Sequence, residues 1–283
     1  MKLFLLFSIF YFFQSFLYCQ VYSERDVQIC KSKFKMAESI NLKSKPISDV
    51  LASIGESFIG TEYKAYTLET EEHEKLVVNL TGLDCTTFLE NTIVFARLIK
   101  KDSTTFENFL KELTLIRYRD GIINTYTSRL HYFSDWIFNN VKKNIIKDIT
   151  MELGGVPLNF YLDYMSSHPI LYKQLKETPS FIPIMQNQEY SINKRTYFYI
   201  PKDRVRFVED KLKEGDLIAF TSSVKGLDIN HVGIAIKQKD GRIHMLHAPQ
   251  TDTKVQITKY PLSDYILKLN KDTGIIVLRV LEP

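Results

Sequence analysis

Cysteine is scarce. The 283-residue chain has three, and Cys19 falls at the end of an apolar N-terminal run. That leaves Cys30 and Cys85, enough for one disulfide but too few for a disulfide scaffold. Long apolar runs are missing after residue 18, so no later segment reaches the ~20 residues a membrane-spanning helix needs. No basic run is interleaved with aromatics, which argues against a nucleic-acid partner. Internal repeats and low-complexity linkers are also missing, so a repeat array is excluded. Charge imbalance is slight, at +4. Such a balance mildly favours an anionic envelope polymer and names no partner.

What is present is ordinary globular composition, 45% hydrophobic and 25% charged, over a length that suits one large domain or two small ones. The first 19 residues read as an export signal: Lys2, then the apolar run Leu3 to Tyr18, then a plausible cleavage point at Cys19-Gln20. A membrane anchor is the alternative. A lipid-modified Cys19 is a third reading, opposed by the bulky Tyr18. The expected location is the periplasm or cell envelope of a bacterium.

The chain then divides in two. A short helix is expected around Ile29 to Ile40, within an N-terminal helical extension over 20–46. A second helix runs from a Ser48 cap to Phe58, with Gly60 as its stop. Leu76 to Leu80 is a short strand. Asp84 caps a helix from Cys85 to about Lys100, and Thr104 with Glu107 opens another through Leu113. Ser128 to Val141 reads as helical, and Phe160 to Ser166 as a further helix. Short β-type runs follow: Tyr197–Ile200, Asp216–Phe220, His231–Ile236, Ile243–Ala248, Val255–Thr258 and Gly274–Val280, with a helix over Pro261–Leu269. Helices first and an antiparallel sheet afterwards predict an α+β domain.

Two segments carry chemistry. Asp84-Cys85-Thr86-Thr87 puts a cysteine in the first turn of a helix, where unpaired N–H groups favour thiolate over thiol. The Asp84 carboxylate works against this unless it is tied up as the cap. Asn230-His231-Val232-Gly233-Ile234 places a histidine at a strand start. Val232, Ile234 and Ile236 share one face; His231, Gly233 and Ala235 share the other. The small residues on the His231 face leave room for a helix bearing a nucleophile. A buried inert cysteine, a disulfide and a strand-end histidine bonded to a loop are the plain alternatives. His247 joins His231 on one face only if the turn is the three-residue loop Lys239-Asp240-Gly241. His244 and His247, three apart on a strand, point to opposite faces, so neither a metal nor a cofactor is expected. Asn79-Leu80-Thr81 matches a glycosylation sequon.

Asp84-Cys85, His231-Val232-Gly233-Ile234 and His247-Ala248 together resemble the papain-like cell-wall hydrolases of the NlpC type. The closer resemblance is to the N-acetylmuramoyl-L-alanine amidase-like branch. It rests on Gly60-Thr61-Glu62-Tyr63, Tyr66-Thr67-Leu68-Glu69, Asp84 to Glu90, Arg117 to Gly121, Ser128 to Trp136 and Gly226 to His231. Glu62 stands where that family more often has proline, and Pro249 where a small polar residue is commoner. The resemblance implies a papain-like (NlpC-type) fold over 47–283, its nucleophile helix packed on an antiparallel sheet, with a helical insertion at about 101–200. It implies Cys85 as nucleophile, His231 as base, His247 as orienting residue and Tyr63 as oxyanion donor. It marks Arg129, His131, Tyr132 and Asp228 as candidates for substrate binding. At helical spacing Arg129, Tyr132 and Trp136 would share a side; Arg129 could read a ligand carboxylate or pair with a nearby acid. The implied partners are peptidoglycan fragments, acted on by a monomer with no obligate protein partner. The implied reaction is cleavage of the amide between the lactyl group of N-acetylmuramic acid and L-alanine. Alternatives are a γ-D-glutamyl-diamino-acid endopeptidase, a non-catalytic muropeptide-binding module and a thiol acyltransferase.

Overall fold

The computed structural model describes residues 20–69 and 73–283; the segment 1–19, read above as an export signal, lies outside them. Among the described residues no helix is long and apolar enough to cross a membrane. Strand β1 (Gln20–Val21) leads into α1 (Glu24–Ser39). The helix starts five residues earlier than its apolar pattern suggests because Ser23 and Asp26 form a reciprocal cap: Asp26 N–H donates to Ser23 Oγ, and Ser23 N–H to the Asp26 carboxylate. Cys30, Phe34 and Ala37 enter the main core, with Phe34 edge-on to Phe95 at 5.0 Å. The N-terminal extension is therefore part of the domain's packing. Helix α2 (Ile47–Glu56) has Pro46, not Ser48, at its N-cap position.

Three two-residue strands follow: β2 (Glu62–Tyr63), β3 (Leu76–Val77) and β4 (Gly82–Leu83). β3 pairs with β1, and β4 with β2, both parallel. They deliver the chain to α3 (Cys85–Lys100), the central helix. From Thr87 to Ile99 every residue of α3 is buried, so the helix runs through the interior with no face left to solvent. Among its polar residues Arg97 and Glu90 are paired, Arg97 Nε donating to Glu112 at 2.6 Å. Glu90 accepts from Arg117 Nε at 2.7 Å and from Trp136 Nε1 at 3.2 Å.

Residues 101–200 hold α4 (Phe106–Arg117), α5 (Phe133–Lys142), β5 (Ile146–Asp148), β6 (Val156–Leu158), α6 (Tyr164–Ser167), α7 (Lys173–Glu177), α8 (Phe181–Asn193) and β7 (Tyr197–Pro201). The insertion is thus not purely helical, because β5, β6 and β7 extend the main sheet. The sheet is completed by β8 (Leu217–Ser222), β9 (Ile229–Lys237), β10 (Ile243–His247), β11 (Gln256–Ile257) and, after α9 (Leu262–Leu267), β12 (Asp272–Val280). Its order is β11-β10-β9-β8-β12-β7-β6, with β5 also on β12, and every pairing is antiparallel. The domain is α+β.

Both sheet faces are covered. Val232, Ile234 and Ile236 pack with α2 and α3 on one side. Ala235, Phe220 and Met245 pack with Leu262 and Ile266 of α9 on the other. Helix α3, with Cys85 at its start, therefore lies on the Val232 face, not on the His231 face as the small residues suggested. Gly233 serves another purpose. A Cβ there would lie 2.6 Å from Met245 Cε and 2.7 Å from the Leu246 carbonyl, so the glycine allows β9 and β10 to close tightly beside the two histidines.

Candidate active site

Cys85 stands at the first position of α3, and Asp84 caps it. The Thr87 N–H donates to Asp84 Oδ1 at 2.7 Å, and the Asp84 N–H donates to Thr87 Oγ1 at 2.9 Å. This holds the thiol at the point where helix and sheet meet. Its Sγ lies beside the backbone N–H of Val232, the residue after His231, and 4.0 Å from Thr86 Oγ1. Cys30 and Cys85 are both free thiols, which removes the disulfide reading.

His231 follows a bulge. Phe220 pairs with His231 but Thr221 pairs with Ile229, so Asn230 is the extra residue. The Asn230 amide donates to the Lys271 carbonyl at 2.7 Å and to Asp272 Oδ1 at 3.0 Å, which pins the bulge and aims the next side chain. Across the hairpin, Gln238 N–H donates to the Arg242 carbonyl and Gly241 takes φ +79°. This is the three-residue turn, and it puts His247 on the His231 face. His231 Nε2 and His247 Nδ1 are 2.7 Å apart. The Tyr265 ring of α9 meets His247 edge-on at 5.6 Å. Asn230 and Tyr265 were not foreseen; the only sequence signal was the Asn preceding the histidine.

Cys85 and His231 border one cavity of about 180 Å³, together with Val232 and Asp228. Tyr63 borders a larger one of about 710 Å³, with Asp84 and Thr86. The Tyr63 backbone is fixed from both sides: its N–H donates to the Thr253 carbonyl at 2.6 Å, and β2 pairs it with Leu83.

Burial governs protonation here. It pushes the Cys85 thiol up to about 12, with the Asp84 charge adding to the rise; the Val232 N–H and Thr86 relieve part of it. Burial, then His247, pushes His231 down to about 3. Burial alone takes His247 down to about 4. The expected thiolate-favouring effect of the helix start is thus outweighed, and the resting pair is thiol and neutral imidazole. Tyr63 is pushed up to about 12 by burial, then by Cys85 and Asp84, so it stays a hydrogen-bond donor.

A family model described as N-acetylmuramoyl-L-alanine amidase-like (AmiA-like) matches residues 53–275. The chain belongs to this AmiA-like family. An N-acetylmuramoyl-L-alanine amidase from Bacteroides uniformis is 38% identical, with TM-score 0.77, covering 83% of this chain and 99% of that one. A protein from Bacteroides fragilis described as a putative xylanase is 41% identical, with TM-score 0.76, covering 81% and 100%. A Legionella pneumophila protein at 21% identity and TM-score 0.68, covering 90% and 95%, shares the fold. No curated protein matches.

Within this AmiA-like chain the four expected substrate contacts separate. Helix α5 begins at Phe133, so Arg129 and Tyr132 lie outside it and do not share a helix side with Trp136. Arg129 is buried and engaged: Nη2 donates to Glu69 at 2.7 Å, Nη1 to the Leu68 carbonyl at 3.1 Å, and Nε lies 3.6 Å from Glu74. Of its two expected roles, pairing with nearby acids is the one observed. The Tyr132 hydroxyl donates to Glu189 at 2.7 Å and accepts from the Met165 N–H, so it ties α5 to α6 and α8. Asp228 accepts from the Ser134 N–H at 2.6 Å and from the Ile229 N–H at 2.8 Å, capping α5 from the loop before β9. Both residues border the narrow cavity with Cys85 and His231, and both are also hydrogen-bonded inside the protein. His131 differs. Its Nε2–H donates to the Tyr126 carbonyl at 2.8 Å, while burial, then Arg129, keeps the ring neutral. Its Nδ1 is left as an acceptor on a ring that borders both cavities.

His244 bonds the Thr258 carbonyl and Asp240, away from the His231–His247 pair. The Asn79 carboxamide accepts from Thr81 and Gly82 N–H groups, so the sequon forms an Asx turn into β4.

Proposed function

We propose that this AmiA-like chain is an exported cysteine amidase of papain-like design that cleaves the bond between the lactyl group of N-acetylmuramic acid and L-alanine. One observation carries the reading. The sulfur of a helix-capped cysteine rests on the backbone of Val232, next to a histidine that is hydrogen-bonded to a second histidine. In this reading His231 holds its proton on Nε2, donated to His247 Nδ1, so His231 Nδ1 is the base. It takes the thiol proton as Sγ attacks the lactyl carbonyl. The Cys85 N–H and the Tyr63 hydroxyl hold the oxyanion, each such donor contributing about 3–4 kcal/mol in the transition state. The C–N bond breaks as His231 returns the proton to the L-alanine amine. Water, deprotonated by His231, then opens the thioester to give the free carboxylic acid and the thiol. A neutral resting pair suits this sequence, because charge separates only when substrate has excluded water.

The name xylanase, given to one relative, finds less support. Sugar hydrolysis needs two available carboxyl groups flanking the bond. Of the acids bordering the wide cavity, Glu90 is paired with Arg117, Glu69 with Arg129, and Asp84 caps α3. The test is digestion of defined muropeptides by the wild type and by Cys85→Ala, with products weighed by mass spectrometry. Release of the intact stem peptide with a free L-alanine amine, lost in the variant, is expected. Cleavage after γ-D-glutamate, or cleavage surviving Cys85→Ala, would overturn the proposal.

A further inference from the structure

Two unequal cavities share a wall at Thr86, the residue after Cys85; Cys85 itself borders the narrow one. His231 borders only the narrow one, and Tyr63 only the wide one; Thr86, Leu130, His131 and Tyr172 border both. The group that protonates the leaving amine must lie on the leaving side of the scissile bond. On the reaction proposed above, the L-alanine peptide then leaves through the narrow cavity. The acyl side, which carries the muramoyl sugar, occupies the wide one.

The wide cavity is built of phenol rings: Tyr63, Tyr66, Tyr126, Tyr164 and Tyr172 all border it. Four of them are buried or half-buried, whereas Tyr66 is 84% exposed. Tyr66 is also strained, with φ +60°. Most other non-glycine residues at positive φ here are Asn or Asp, which tolerate it; the exceptions are Tyr66 and Thr253. Both serve the wide cavity, since the Thr253 carbonyl fixes the Tyr63 backbone. The turn that holds Tyr66 is anchored below by the Lys64 N–H on the Leu83 carbonyl and closed by the Glu69 N–H on the Tyr66 carbonyl at 3.3 Å. Glycine would fit this position without strain. A strained tyrosine that buries almost none of its ring gains nothing for the fold from that ring.

We propose that Tyr66 is the sugar platform of this site: its ring stacks on the apolar C–H face of the N-acetylmuramoyl pyranose, on the acyl side of Cys85. An aromatic ring with one polar tip suits a sugar, whose faces are apolar and whose edges are hydroxylated.

Binding is measured by calorimetry on the full chain carrying Cys85→Ala, with three probes: a muropeptide, its peptide-free disaccharide and its sugar-free stem peptide. Tyr66→Gly removes the ring and keeps the turn, because glycine accepts positive φ. It is expected to weaken muropeptide and disaccharide about tenfold, or ~1.4 kcal/mol, and to leave stem-peptide affinity unchanged. Tyr66→Trp restores both. Equal loss for the stem peptide, or no loss for the disaccharide, overturns the proposal. The two readings fail separately. If the wild type releases no L-alanine peptide while Tyr66→Gly still loses the disaccharide, the platform stands and the reaction falls. If the wild type cleaves and Tyr66→Gly binds the disaccharide normally, the platform falls alone.

Discussion

Asp84 does two opposed things, and one pair of substitutions separates them. As the N-cap of α3 it stabilises the fold; as a charge beside Cys85 it raises the thiol. Asp84→Ala removes the cap, which accepts from the Thr87 N–H at 2.7 Å and the Thr87 hydroxyl at 2.8 Å. The loss is about 1 kcal/mol, or a fall in Tm of ~2–4 °C for a chain of this size. Asp84→Asn keeps the cap, because Asn caps as well as Asp, but drops the charge. Its Tm should stay near wild type. Both variants should be alkylated faster at Cys85, since each unit by which the thiol pKa falls raises the thiolate fraction about tenfold. Thermal unfolding by circular dichroism gives the first quantity. Iodoacetamide labelling, followed by intact mass from about pH 4 to 11, gives the second. With the thiol near 12, wild-type labelling should climb with pH throughout and show no acid plateau. A plateau near pH 5, or slower labelling of Asp84→Asn with unchanged unfolding, would refute the reasoning.

Three further outcomes follow from the same geometry. His231 and His247 are depressed to about 3 and about 4, below the ordinary histidine value, so the unfolded chain takes up protons first as pH falls. Their contribution to stability is full above about pH 6.5 and is lost as pH drops toward 4 and then 3; denaturant unfolding of a His231→Gln/His247→Gln double variant should give a flatter acid limb, and an identical limb would count against it. Glu90→Ala strands Arg117, and both side chains of that pair are 2–3% exposed, so destabilisation of about 3–5 kcal/mol is expected; a loss under 1 kcal/mol in urea unfolding would show that the pair relaxes outward. His247→Ala should lower kcat with little change in KM, while His247→Gln, whose amide oxygen can still accept from His231, should keep part of the rate. Equal rates for Ala and Gln would deny His247 a positioning role.

Local signals were legible in the chain and tertiary ones were not. The Asp84 cap depends on neighbouring residues and formed as read; of the two turns that Lys239-Asp240-Gly241 allows, the three-residue one formed. The α8 segment buries only Met185, Glu189 and Ile192 along 13 residues, a stripe too thin to announce a helix. Strands β5 and β6 are three residues each and find their partners β12 and β7 far along the chain, so nothing nearby marks them, whereas β7 was legible in Tyr197–Ile200. Arg129 left the expected helix because its segment bridges Tyr118 and its guanidinium meets Glu69. The thiol's protonation was misjudged for a similar reason: a helix start acts from the sequence, while burial is set by everything folded around it. The side of β9 that receives α3 was misread because Gly233 accommodates Met245 and the neighbouring strand, not the helix.

The most direct measurement is rapid-quench intact-protein mass spectrometry during turnover of a muropeptide. The account predicts a transient adduct on Cys85 with the mass of the N-acetylmuramoyl acyl group, labile to hydroxylamine and missing in Cys85→Ala. An adduct with the mass of a peptide acyl group, or steady turnover with no adduct and undiminished rate in the alanine variant, would contradict it.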